Sequence, residues 1–483
     1  MEFTSKKQVQ RHANKIINIK QKDLSKQLGI KINNDKNVMG DIFEAWFGKP
    51  KDSASKPDLG IAELKATPFK RLKNGKISAK ERLVLNIINY EKIDKETFKN
   101  SHFLKKNRTL EIGFYEYNKD IPKKEWSFSK CIMYEMENNP VDFKVIEQDW
   151  KIIQSYVKSG QAENINEGLT KYLAACTKGK NKHSLRKQPH SNKKAMQRAF
   201  SFKSSYMTTL LRNYVFGNQK SDSIIKNPNE LNNRSIEEIV EFKFNPYKGK
   251  SIDYLIKKLG IPEKHSTRIG AYNVQIVNKI LGINGNNINE INANEFEKAS
   301  IIPKTIQFDY KNVNKESMSL PPFKFKELSK EDWENELGEP EAALNVYLSE
   351  SEFLFIVFKS NKQGENILKG IKFFKVPTNQ KDGKIKDVWK KTKDTINEGV
   401  KLNYNFKTNK VTNNLTKASN HDIIHVRPHS KYRSYTKNSC SDILPVPANW
   451  TNKPDNFSCK YMTKQSFWFN NSYIKDIVSD LLM

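Results

Sequence analysis

Apolar positions along this chain recur in two rhythms, and each rhythm is met twice. "DLSKQLGI" (residues 23–30) and "YLIKKLGI" (254–261) space their apolar residues along one helical face and close on a glycine, the residue that most easily adopts the left-handed turn ending a helix. "TLEIGFYEYN" (109–118) with "SKCIMYEM" (129–136), and "EFLFIVFKSN" (352–361) with "LKGIKFFKV" (368–376), are short runs rich in aromatic and β-branched residues. They predict a pair of strands in each half. A helix carrying a tryptophan follows each pair, "QDWKIIQSYVKSG" and then "KDVWKKTKDTINEG".

Other blocks repeat in the same order. "LKATPFKRLKNGK", from Leu64, is echoed by "PKTIQFDYKNVNK", from Pro303; "QPHSN" (188–192) by "RPHSK" (427–431); "FSFKSSYM" (200–207) by "FWFNNSYI" (467–474). One matching octamer means little, but an ordered series of matches argues for duplication. The aperiodic, Asn- and Ser-rich stretch between the copies reads as a linker. The expected architecture is two tandem α/β domains, 1–220 and 236–483, joined by a linker at 221–235.

Composition then narrows the partners. With 84 Lys and Arg against 54 Asp and Glu, the 483-residue chain carries a formal charge of +30, which favours a polyanion, nucleic acid first. Lysine is abundant throughout, as a biased genome would also produce, so charge names a partner class and nothing finer. The four cysteines, Cys131, Cys176, Cys440 and Cys459, form no C-x-x-C pair, which suggests neither a zinc site nor a disulfide framework. A polar, basic N-terminus and the lack of any run near the roughly 20 apolar residues that span a bilayer predict a cytoplasmic protein.

The candidate chemistry lies in "SKPDLGIAELKATPFK" (55–70). Side chains alternate along a strand, so Ile61, Glu63, Lys65 and Thr67 share one face, and Ala62, Leu64 and Ala66 the other. If the chain doubles back at Gly60, Asp58 can bring its carboxylate to Glu63. Two carboxylates in one place repel unless a cation or a proton joins them. Hard oxygen ligands on a basic surface suit Mg²⁺ bound with a phosphate, and Lys65 adds a further positive charge. That points to phosphodiester hydrolysis. A charged strand edge that merely discourages aggregation is the plainer alternative, and "EIVEFKFN" (238–245) supplies a second such pattern, Glu241 to Lys243, with no Pro-Asp ahead of it. The segment "KNVMGDIFEAWFGK" (36–49) favours the chemical interpretation: Val38, Ile42, Ala45 and Trp46 form a helical apolar stripe, and Glu44, interrupting it, needs a partner.

Lys36, Gly40, Glu44, Asp58, Glu63 and Lys65, with "ELKATP" and "FSFKSSYMTTLL", resemble the MutH-like nucleases of the PD-(D/E)xK superfamily. The length, the duplication and "ERLVLNIINYEKI" (81–93) are most similar to the two-domain restriction endonucleases that cut at GATC. The resemblance implies that each half is a mixed central sheet flanked by helices. It also implies that Asp58, Glu63 and the Leu64 carbonyl bind Mg²⁺, that Lys65 is the catalytic lysine, that Glu44 is the helix-borne carboxylate and that Lys36 is a second active-site lysine. The spacing from Asp58 to Glu63 is shorter than in most relatives.

By the same resemblance, "SLRKQPHSNKKAMQRAFSFK" (184–203) enters the DNA. It offers Arg186, Lys187, Gln188, His190, Lys193, Lys194, Arg198 and Lys203, a mixture of phosphate-seeking cations and side chains able to read base edges. Aligning the halves on Lys65 and Lys304 puts Glu297 opposite Asp58, Ile302 opposite Glu63 and Asn278 opposite Glu44. An Ile cannot ligate a metal, so the second half should not cut, although it keeps Arg427, His429, Lys431 and Arg433. The resemblance implies a regulatory domain that binds a second GATC site, with dimerisation on DNA. A simple clamp, a strand-nicking mismatch-repair enzyme and a non-catalytic DNA-binding regulator are the competing expectations.

Overall fold

The computed structural model describes residues 2–30, 37–49, 56–72, 74–181, 183–217, 222–262, 269–284, 290–420 and 422–483. Two compact units emerge. Unit 1 comprises Met1–Lys243 with Asn278–Ile301, and unit 2 comprises Phe244–Val277 with Ile302–Met483.

The matched helices form as their periodicity predicts. Gln21–Gln27 and Ile252–Lys258 each give way to a glycine at positive φ, Gly29 at 66° and Gly260 at 62°. The amide of the following residue then bonds back into the helix, Ile30 N–H to Ser25 O at 2.9 Å and Ile261 N–H to Ile256 O at 3.0 Å. That is the glycine-closed cap in which a left-handed residue lets orphan carbonyls find donors.

Unit 1 is built on a mixed sheet of β1 (Glu63–Arg71), β2 (Ile77–Ala79), β4 (Thr109–Glu116) and β5 (Phe128–Glu135) in the order β2-β1-β4-β5. β1 and β4 run parallel, with Leu64 opposite Glu111, while β2 and β5 are antiparallel to their neighbours. The helix Val38–Trp46 turns Val38, Met39, Ile42 and Phe43 into the core that also takes Leu64 and Phe128. A second sheet orders β3 (Leu83–Ile87), β9 (Arg198–Phe202) and β6 (Leu173–Thr177), and β7 (Leu185–Gln188) with β8 (Ser191–Met196) forms a hairpin. The long helix Pro140–Lys158 buries Trp150 and Asp149. Asp149 accepts the backbone N–H groups of Lys171, Tyr172 and Leu173 at 2.7–2.9 Å, which ties the start of β6 to the helix.

Unit 2 repeats the pattern. β10 (Ile301–Phe308), β12 (Glu352–Ser360) and β13 (Asn366–Phe374) form one sheet in the order β10-β12-β13. β11 (Met318–Phe323), β16 (Ile424–Pro428) and β20 (Gln465–Phe469) form another, ordered β11-β20-β16. Smaller sheets join β14 (Lys401–Asn405), β15 (Lys410–Asn413) and β18 (Asn449–Thr451), and β17 (Ser441–Ile443) with β19 (Tyr461–Thr463). Trp389, on the helix Lys386–Glu398, is buried in the core of this unit.

Two segments depart from expectation. The linker expected at 221–235 is packed among its described residues: Ile224, Ile225 and Leu231 are buried, and the Glu295 carboxylate accepts the N–H groups of Ile224 and Ile225. The boundary between units accordingly falls later than 220/236, and unit 1 also takes back 278–301. The strand pattern at Glu241–Lys243 is part of a helix, Ile236–Phe244. Ser235 accepts from Glu238 N–H at 3.2 Å and donates its own N–H to the Glu238 carboxylate at 2.7 Å. This reciprocal cap starts a helix whose buried Ile236, Ile239, Val240 and Phe244 follow the 3.6-residue period and override a three-residue alternation. Among the described residues no helix is long and apolar enough to cross a membrane.

Candidate active site

The chain turns ahead of β1 because Gly60 adopts φ 72° and its N–H closes on Pro57 O at 2.9 Å. That turn folds Asp58 back on the strand in two ways. The Asp58 carboxylate accepts the Leu64 N–H at 3.0 Å, and the Asp58 N–H donates to Glu63 Oε2 at 3.2 Å. Lys65, sharing a strand face with Glu63, places its ammonium 2.6 Å from Glu63 Oε1. Asp58, Glu63 and Lys65 are thus gathered by one turn and one strand. Leu64 sends its side chain into the core, so its part in any site is played by its backbone.

Glu44 comes from the Val38–Trp46 helix, half-buried at the edge of its apolar stripe. It lines a cleft of about 420 Å³ together with Gly40, Lys65, Arg82 and Lys178. Burial, and next the negative charge of Asp58, push the Glu44 carboxyl above its ordinary range. Burial also raises Glu63, opposed by Lys65. The Asp58 charge thus adds to the proton affinity of both Glu44 and Glu63, which marks a site of negative potential, and hard oxygen donors so placed fit a divalent cation. Lys36 lies outside the described residues.

Lys106, on the helix His102–Asn107, was not singled out by the sequence, yet its ammonium lies 3.6 Å from Glu63 Oε1. Its neighbour Lys105 and the general abundance of lysine hide it: only the packing of that helix shows which lysine faces the acids.

A family model, the DNA mismatch repair enzyme MutH, matches residues 47–149, which contain Asp58, β1, Lys106 and β4. A type II restriction enzyme, Sau3AI of Staphylococcus aureus, is 49% identical over 466 residues, 94% of each chain. The chain belongs to the MutH-like type II restriction endonucleases. Membership in this family covers both units, since the match extends over nearly the whole length.

Against the family's expected DNA-reading segment the structure separates surface from interior. Arg186 is exposed on β7 with its Nε held by Gln197 at 2.8 Å. His190 occupies the hairpin tip at φ 61°, and its Nε2 lies 3.0 Å from Asp94. Arg198 is half-buried and donates to Ala175 O at 2.8 Å. Gln188 and Lys203 require correction. The Gln188 side chain, 7% exposed, accepts from Ala162 N–H and donates to Glu163 and to Lys193 O. Its amide is spent holding the hairpin to the segment below, so it does not present a free edge to a base. Lys203 is 5% exposed and donates to Thr170 O. It sits where β9 passes into the helix Ser204–Leu210, so its ammonium points inward rather than to a phosphate.

In unit 2, Arg427, Lys431 and Arg433 are exposed. The Arg427 guanidinium lies 5.0 Å from the Trp468 ring centroid, and the His429 ring 5.8 Å from it. Ile302 packs against the core of the unit. The partner assigned to Glu44 also needs correction. Asn278 belongs to unit 1 and donates to Glu290 O at 3.0 Å. The unit 2 cleft is lined from the helix Ile269–Leu281 by Gly270 and Asn273, spaced as Gly40 and Phe43 are in the unit 1 cleft. That register sets Val274 opposite Glu44; a carboxylate is missing there in either alignment.

Proposed function

We propose that unit 1 hydrolyses phosphodiester bonds of double-stranded DNA at GATC with Mg²⁺, and that unit 2 binds a second copy of the site as an effector without cutting. The observation that carries this is the meeting of Asp58, Glu63 and Lys65 at one turn, with Glu44 beside them. The carboxylates of Asp58 and Glu63 and the Leu64 carbonyl would hold the ion. When bound, it supplies charge to stabilise the developing phosphorane and lowers the pKa of a water. Lys65, 2.6 Å from Glu63, keeps a fixed ammonium beside the phosphate, where charge develops. Lys106 adds a second cation on the same side of Glu63. Glu44, held above the usual carboxylate range, is placed in the cleft to take or hold a proton.

A palindromic site needs two strand breaks, and among its described residues one chain brings together one such set of acids, so two chains meeting on the target is the expected arrangement. The four cysteines are free, which fits a reducing cytoplasm. The test is a divalent-metal cleavage assay on plasmid DNA that carries GATC sites. Linear product ending at GATC supports the proposal. Nicked circles alone would indicate a mismatch-repair type of reaction, and retained binding without cutting a non-catalytic regulator. Glu63→Ala or Lys65→Ala should lower cutting by at least about 10²-fold while duplex affinity stays close to that of the unaltered chain.

A further inference from the structure

The cleft of unit 2, about 800 Å³, is built from the same parts as the proposed catalytic cleft: Lys304 and Thr305 of β10, which align with Lys65 and Ala66 of β1, and a helix presenting Gly270 and Asn273. What differs is its chemistry. Lys65 has a carboxylate 2.6 Å away, whereas the Lys304 ammonium pairs with no acid among the described residues. It is half-buried, and burial lowers its proton affinity. Two further groups in the lining lack partners among the described residues. The Trp468 indole N–H finds no acceptor, and the Asn273 amide oxygen, on a side chain 2% exposed, finds no donor. A buried donor without an acceptor costs roughly 1–3 kcal/mol, so a structure keeps one where a ligand or water completes it. Asparagine can turn its NH₂ rather than its oxygen to such a ligand.

The acids in the lining do not fill this need. Asp309 turns its Oδ1 to its own loop, accepting the N–H groups of Lys311 and Val313 at 2.9 Å each, and makes no ion pair with Lys304 among the described residues. Glu316 stands exposed at the rim next to Lys315. An unpaired ammonium, an orphan indole N–H and a free amide around one hollow form a complement to a tetrahedral anion. Trp468 carries Arg427 and His429 against its ring, and Arg433 and Lys431 follow on the surface. An anion in the cleft would therefore be continuous with a basic surface suited to a polymer backbone.

We propose that the unit 2 cleft grips a phosphodiester of duplex DNA with no metal ion, Lys304 supplying the positive charge that a divalent cation supplies in unit 1. This rests on the effector role given to unit 2 above and adds its mechanism: the second site holds DNA independently of Mg²⁺, and its phosphate is bound where no carboxylate can assemble a hydrolytic centre.

The experiment uses the full chain labelled with 5-fluorotryptophan, with the Trp468 resonance assigned from Trp468→Phe, in EDTA. Titration with a GATC duplex should shift that resonance. Lys304→Gln should remove the shift and weaken duplex binding in EDTA about tenfold, lowering the slope of log affinity against log salt by about one. Lys304→Arg should restore both. The proposal is overturned if Lys304→Gln shifts and binds as the unaltered chain does, or if the effect appears only when Mg²⁺ is added. It is equally overturned if inorganic phosphate moves the resonance and the duplex does not, which would make the cleft a small-anion site. Failure of the underlying effector role is read separately, from Arg427→Ala combined with Arg433→Ala. If that pair leaves duplex stoichiometry and affinity unchanged, unit 2 is not a DNA-binding unit. If it weakens binding while Lys304→Gln does not, only the cleft proposal falls.

Discussion

Glu111 shows what one side chain does to stability. It is fully buried on β4, both its oxygens lack hydrogen-bond partners, and burial pushes its carboxyl up to about 8. Its folded-state value lies above its unfolded one, so between the two the folded chain binds more protons and stability falls as pH rises. Unfolding free energy should therefore drop by an amount on the order of a few kcal/mol between about pH 5 and about pH 8. Glu111→Gln should flatten that profile, as chemical denaturation at a series of pH values would show. The acids proposed for catalysis run in the same direction with a different consequence. Glu44 and Glu63 are both raised by burial, and a cation competes with their protons. The Mg²⁺ concentration for half-maximal cutting should fall as pH rises, and Glu44→Gln should weaken that dependence.

Between elements, a buried ion pair in unit 1 joins helices far apart in the chain. Lys298, on the helix Asn294–Ala299, sets its ammonium 2.7 and 2.8 Å from the two oxygens of Asp142 at the start of the Pro140–Lys158 helix. Both are buried, and Tyr206 donates to the same carboxylate at 3.0 Å. Removing one partner strands the other's charge in the interior, so Lys298→Met or Asp142→Leu alone should cost about 3–5 kcal/mol. Asp142→Leu with Lys298→Met together should cost markedly less than the sum, a double-mutant cycle that urea denaturation can close. This link explains why unit 1 retains residues 278–301, although in sequence they lead directly into β10.

At the scale of the whole molecule, a net charge of +30 should make duplex affinity fall steeply with salt, since each neutralised phosphate releases counterions. The effector role proposed for unit 2 predicts two bound duplexes per chain by calorimetry, with cleavage rising faster on DNA carrying two GATC sites than on DNA carrying one. Ile302→Ala, at the edge of the unit 2 core, should leave the chemical rate within about twofold in single-turnover assays, the change expected for a side chain outside the proposed catalytic set.

Periodicity and turn chemistry were enough to specify much of this chain. Helical spacing closed by Gly29 and Gly260, the strand pairs Thr109–Glu116 with Phe128–Glu135 and Glu352–Ser360 with Asn366–Phe374, and the Pro57–Gly60 turn that brings Asp58 to Glu63 all depend on contacts between near neighbours. Local sequence encodes such contacts directly. The Ser235–Glu238 cap was equally local, and a strand pattern of three residues concealed it. Tertiary structure alone decided the rest. It selected Lys106 over Lys105 beside Glu63, turned Gln188 and Lys203 inward, packed 222–235 on unit 1 through Glu295, and paired Lys298 with Asp142. In each case the deciding contact comes from a residue distant in the chain, and a long polar side chain can serve the surface or the interior with the same local pattern. Only the groups packed against it fix which.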